Sequence, residues 1–251
     1  MRLSSSTYSS FKSLSSLVIT GLLAVSCQKT TDRTITRSEA TGKGNGGNGL
    51  TVTQAEIDRV FADLKPKLKI SFEALSFLAK AEKAAPKSTE LSESPELLKT
   101  IAMLTQENDV NVFLDLDTKE NFARQEAPCM DFRGVPKAAS AVLLEVGGKI
   151  CFSNRQLRST SVKNFDKAAE IMIIGLAAHE LTHHFISSGD HAKDEKAATD
   201  LQNFLEQQLV RGLELEAKDI VSIDDSDYIA RFYQRALDVY TSAIEQPGAR
   251  K

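Results

Sequence analysis

Four histidines, His179, His183, His184 and His191, fall close together in a chain of 251 residues that has no others. Three of them stand in the run His179-Glu180-Leu181-Thr182-His183-His184, an HExxH pattern. On a helix, residues i and i+4 share a face, so His179 and His183 can both turn an imidazole nitrogen toward a single Zn²⁺. Glu180 lies beside His179 and can reach the open fourth position of such a site. Zinc lowers the pKa of a water it holds toward neutrality, and Glu180 is the candidate general base that takes the proton as a carbonyl is attacked. His184 points about 100° away from His183 and reads as a supporting or surface residue.

A third ligand has to come from elsewhere. If Gly189 ends one helix and the next folds back antiparallel, residues equidistant from Gly189 lie side by side. His183 is six residues before it and Glu195 six after, which puts Glu195 at the level of the site. The apolar face formed by Ala197, Ala198, Leu201, Phe204 and Leu205 is centred nearer Asp194, and His191 opens the same helix. Glu195 has the longer reach, and Asp194 and His191 stay open as alternatives.

The segment Ala178–His183 (AHELTH) resembles the active-site helix of zincin metalloproteases, and the HELTH form is similar to thermolysin-like gluzincins. The likeness covers this helix, the next one, and the order of hairpin followed by active-site helix. The metzincin pattern HExxHxxGxxH fails, because Ile186 and Gly189 stand where it has Gly and His. The gluzincin pattern has a Glu on the following helix with Ala three residues on; Glu195 and Ala198 match it, and Thr199 stands where Asp is common. The eleven-residue spacer between His183 and Glu195 is shorter than usual in that family. The resemblance implies one zinc ion on His179, His183 and Glu195, and a protein or peptide substrate. It also implies a strand edge ahead of the helix that holds the substrate, here Lys149–Ser153.

The elements that must position these residues can be read from periodicity. Ile171–Ala178 is apolar on nearly all sides, as a buried helix carrying a site would be. Helices are expected at 162–187, 191–213 and 226–245, with Gly189 and Gly212 as stops. Asp224-Asp225-Ser226-Asp227 only superficially resembles a calcium loop and reads as the N-cap of the last helix. Tyr228, Tyr233 and Tyr240 on that helix read as core, although a Tyr can supply an oxyanion donor. Ser140–Val146 and Lys149–Ser153 flank Gly147-Gly148 as a hairpin, and Val110–Leu114 reads as a strand. Upstream, Thr53 and Glu56 form a capping box. Ile57, Val60, Phe61, Leu64, Leu68, Phe72, Leu75 and Leu78 keep helical spacing, with a kink or break at Pro66. Pro95 opens another helix to Gln106. The expected class is α+β, a small antiparallel sheet with helices packed on it. A helical segment (51–107) precedes a zincin-like domain (108–251).

Residues 1–26 have the layout of a signal peptide: Arg2 and Lys12, then the apolar run Leu17–Val25, with Ser26 before Cys27. The run is about half a membrane span. Leu23–Cys27 looks like a bacterial lipobox, which implies a lipid on Cys27. Gln28 lacks the acidic character that favours inner-membrane retention, so an outer-membrane anchor is expected. Residues 27–50, with five glycines between Gly42 and Gly49, read as a flexible tether. Cys129 and Cys151 then form an even pair, and in an oxidising compartment a disulfide is the default. With 31 Lys+Arg against 34 Asp+Glu, the net charge of −3 argues against a nucleic-acid partner. The chain thus reads as a lipid-anchored extracytoplasmic zinc metallopeptidase. The alternative is a non-catalytic surface lipoprotein whose site is structural or vestigial.

Overall fold

A computed structural model describes residues 50–106, 114, 122–131, 133–141, 149–162, 165, 167–186, 188–214 and 227–245. The leader and tether expected at 1–49 and most of the strand expected at 110–114 lie outside the described residues. So does the Gly147-Gly148 turn. Of the expected strand only Leu114 is described; it is buried and helical.

The first helix begins where the sequence supplies its cap. Thr53 Oγ1 accepts from the Glu56 N–H at 3.2 Å, and Glu56 Oε2 accepts from the Thr53 N–H at 2.8 Å. Two of the four orphan donors at the helix start are thereby satisfied. Helix α1 (Gln54–Ala62) buries Ile57 and Val60. The break anticipated at Pro66 falls at Asp63 instead. Pro66 sits in the first turn of α2 (Leu64–Ala84), where its missing N–H would have had no helical partner. Helix α2 buries Leu68, Phe72, Leu75 and Leu78. The buried Glu82 carboxylate then receives the backbone N–H groups of Lys87 (2.6 Å) and Thr89 (3.0 Å) and clamps the connection to α3 (Pro95–Gln106).

The sheet is mixed, which corrects the antiparallel expectation. Its order is β2 (Phe122–Gln125), β6 (Ile150–Ser153), β5 (Ala139–Ala141). β5 pairs antiparallel to β6, the pairing expected of the hairpin, whereas β2 runs parallel to β6. Every residue of β6 is buried, as expected for a strand flanked on both sides. A two-stranded ribbon, β3 (Cys129–Met130) and β4 (Pro136–Lys137), stands beside the sheet. The Cys129–Cys151 disulfide joins β3 to β6, with a Cα–Cα distance of 5.8 Å. The pairing expected from the cysteine count is therefore present.

After α4 (Asn154–Ser159), Ser161 and Val162 form β7, which pairs antiparallel with β1 (Leu50–Thr51). The helix expected from 162 starts later for that reason, as α5 (Ala168–Phe185). In α5, Ile171, Ile173, Ile174, Ala177, Ala178 and Leu181 are all buried. Gly189, at φ +78°, takes the left-handed turn that a side chain would disfavour, and α6 (His191–Glu214) folds back along α5. Gly212, expected as a stop, lies inside α6. There it packs closely against the start of α7 (Tyr228–Glu245), whose Asp227 cap accepts from Ile229 N at 3.1 Å and Ala230 N at 2.9 Å. Helix α7 packs along α2, so the 51–107 helices share one core with the helices that follow. No helix among the described residues is long and apolar enough to cross a membrane.

Candidate metal centre

Helix α5 brings His179 and His183 onto one face one turn apart, and the antiparallel return through Gly189 sets Glu195 of α6 against them. His179 Nε2 and His183 Nε2 are 3.1 Å apart. Glu195 Oε2 lies 3.1 Å from His183 Nε2, and Glu195 Oε1 lies 3.9 Å from His179 Nε2. One ligand atom from each of the three residues lies within 4.8 Å of the others, so the group could hold a metal ion. In a tetrahedral zinc site with Zn–N bonds of about 2.0–2.1 Å, neighbouring donors stand roughly 3.3–3.4 Å apart. The observed spacings are close to that edge. Two neutral imidazoles and one carboxylate also suit zinc chemically.

The alternatives to Glu195 are turned elsewhere. Asp194 accepts from the Ser188 N–H at 3.0 and 3.2 Å and so closes the α5–α6 connection. The His191 ring centroid lies 6.4 Å from that of His183, outside the triad. His184 is buried rather than on the surface, and its ring meets Phe185 edge-on. Tyr233 reaches toward Glu73, and no tyrosine is among the described residues lining the cleft.

The electrostatics follow from burial and this proximity. Burial, with the neighbouring His183 charge, pushes His179 down to about 4. Gln202 of α6 lies beside the same ring. Burial works to lower His183 as well, but the hydrogen bond to Glu195 and the charges of Glu180, Glu195 and Asp194 outweigh it and raise its pKa. The hydrogen bond with His183 pulls Glu195 down to about 2. His183 and Glu195 thus each favour the other's charged form, whereas burial disfavours charge on His179.

Glu180 is buried, and burial raises its pKa. Its Oε2 accepts from the Ala141 N–H of β5 at 2.7 Å. That contact corrects the expected edge: Lys149–Ser153 supplies the central strand β6, and β5 is the strand lying against α5.

Glu180, the triad and β5 line one cleft of about 510 Å³, whose other wall is the β3–β4 ribbon with Arg133 and Lys137. The ribbon turn is built by Asp131. Its Oδ1 accepts from Arg133 N and Val135 N, both at 2.8 Å, and Gly134 at φ +75° completes the reversal. Neither Lys137 nor the Ala141 N–H was legible as part of the site, because both lie far from the HExxH run and in no motif. The register that pairs Lys137 with the half-cystine Cys129 brings Lys137 in. Neither a family model, nor a curated protein, nor a solved structure matches this chain.

Proposed function

We propose that the protein is an extracytoplasmic zinc metallopeptidase, exported and anchored by a lipid on Cys27. The observation that carries this reading is the convergence of His179, His183 and Glu195 in one cleft with a buried Glu180. Bound there, zinc would supply Lewis acidity to a peptide carbonyl and to a water. Glu180 holds and returns the proton: burial lifts its pKa toward the working range of a general base, and the Ala141 N–H fixes which way its carboxylate points. The β5 edge beside α5 offers backbone groups along which an extended peptide could lie. The Cys129–Cys151 disulfide supports an oxidising compartment, and the lipobox-like Leu23–Cys27 supports the anchor.

A second reading has an observation of its own. The Glu180–Ala141 hydrogen bond gives Glu180 a structural task, tying α5 to the sheet, so a non-catalytic lipoprotein would also have a use for it. Metal content measured by mass spectrometry on wild type, His183→Ala and Glu180→Gln separates the cases. Near one zinc per chain, lost in His183→Ala and kept in Glu180→Gln, with peptide cleavage abolished only by the loss of either, is the expected result. No zinc in wild type after reconstitution would sink the hydrolase reading. Zinc without cleavage of any peptide in a broad library would favour the structural one. Mass analysis of the protein from membranes tests the anchor: a diacylglyceryl mass on Cys27 is expected, and an unmodified Cys27 would remove it.

A further inference from the structure

Lys137 stands across the cleft from the triad, half-buried on β4. Its strand cannot drift, because Cys129, its register partner on β3, is bonded to Cys151 in the centre of the sheet. With Ala138 and Ala139 it lines the same cleft as His179, Glu180 and Glu195. The other cation of this wall, Arg133, is directed to Asp131 at 3.5 Å and is more exposed.

We propose that Lys137 is a catalytic residue of this cleft, its ammonium donating to the anionic oxygen that forms when a ligand's carbonyl is attacked. The inference rests on the hydrolase reading. As the water oxygen bonds to the carbonyl carbon, a water proton passes to Glu180 and the C=O π pair moves onto the carbonyl oxygen. That oxygen carries the negative charge that Lys137 receives. When the C–N bond breaks, the pair returns to re-form the carbonyl, and the proton on Glu180 goes to the leaving amine. A fixed cation aimed where charge develops stabilises the transition state more than the neutral ground state.

The test compares wild type, Lys137→Met and Lys137→Arg in the full chain. Zinc affinity is measured by chelator competition, and binding of phenylphosphonate and of benzoate to the zinc-loaded protein by calorimetry. Phenylphosphonate presents tetrahedral anionic oxygens, whereas benzoate is a planar carboxylate. Expected is a loss of phenylphosphonate affinity of about 10-fold or more in Lys137→Met, partly restored in Lys137→Arg, with a smaller effect on benzoate. Zinc affinity should hold or rise in Lys137→Met, because a like charge near the ion has been removed. Unchanged phenylphosphonate binding overturns the proposal. So does an equal loss for benzoate, which would assign Lys137 to carboxylate recognition, and so does a parallel loss of zinc, which would mark a structural role. If wild type takes up no zinc, the hydrolase reading falls and this inference with it. If zinc binds and only the phosphonate result fails, the hydrolase reading stands.

Discussion

Gly212→Ala tests whether α6, the helix that carries Glu195, is seated on α7 as described. A Cβ at Gly212 would press on the Tyr228 carbonyl oxygen well inside van der Waals contact, with the carbonyl carbon at 3.2 Å. Both are backbone atoms of the first turn of α7, so no rotamer change relieves the clash. Arg231, itself buried, donates from Nε to the Gly212 carbonyl at 2.6 Å, and any separation of the helices strains that bond too. Replacing Gly by Ala inside a helix gains about 1 kcal/mol. Forcing a methyl into closed backbone packing costs about 1–3 kcal/mol, and weakening a charged buried hydrogen bond costs about 1.5–3 kcal/mol. The net expectation is a destabilisation of about 1.5–5 kcal/mol. Gly175→Ala is the control. The atoms nearest its Cβ would be those of the Glu206 side chain, with Cγ at 2.6 Å, and that side chain can swing away at the cost of contacts such as its bond from Gln202. Much of the helix gain then survives, and the change stays within about 1 kcal/mol of wild type. Urea unfolding followed by far-ultraviolet circular dichroism reads both variants. Gly212→Ala as stable as wild type would refute the close approach of the two helices.

Glu195→Ala should weaken zinc binding by about 100-fold or more, whereas Asp194→Ala, which removes only the contact to Ser188, should change it several-fold at most; chelator competition reads both. Replacing Cys129 and Cys151 together by Ser should cost about 3 kcal/mol, from the loop of 22 residues that the bond closes, measured by denaturant unfolding. Burial works to raise the Asp131 carboxyl, but the N–H groups of Val135 and Arg133 outweigh it and hold its pKa below the ordinary aspartate value. A depressed carboxyl stabilises the fold above its unfolded pKa, and the contribution is lost as pH falls below about 4 through the folded value. Asp131→Ala should therefore be less stable than wild type at pH 6, with the difference shrinking in strong acid; a gap that widened there would contradict the assignment. Thr53→Ala should cost about 1 kcal/mol by removing half of the capping box, read from the thermal midpoint.

Local signals carried the sequence a long way. Thr53, Pro95 and Asp227 start helices because their side chains or ring suit a helix N-terminus wherever the chain goes afterwards. The i, i+4 spacing of His179 and His183 needs nothing beyond a helix, and Gly189 marks the reversal because its left-handed backbone strains other residues. The sequence also nominated Glu195 by counting from that reversal. It could not choose among Glu195, Asp194 and His191, because helix phase alone leaves neighbouring positions within reach. Only the packing of α6 on α5 turned Asp194 to Ser188 and Glu195 to the histidines. Where local signals misled, a partner distant in the chain had intervened. Val162 joined β1 rather than a helix, Gly212 met the Tyr228 carbonyl rather than ending α6, and β6 took β2 as a parallel neighbour. The second wall of the cleft belongs to the same category. Lys137 and the Ala141 N–H reach the cleft through strand register and a disulfide, non-local constraints that no spacing along the chain encodes.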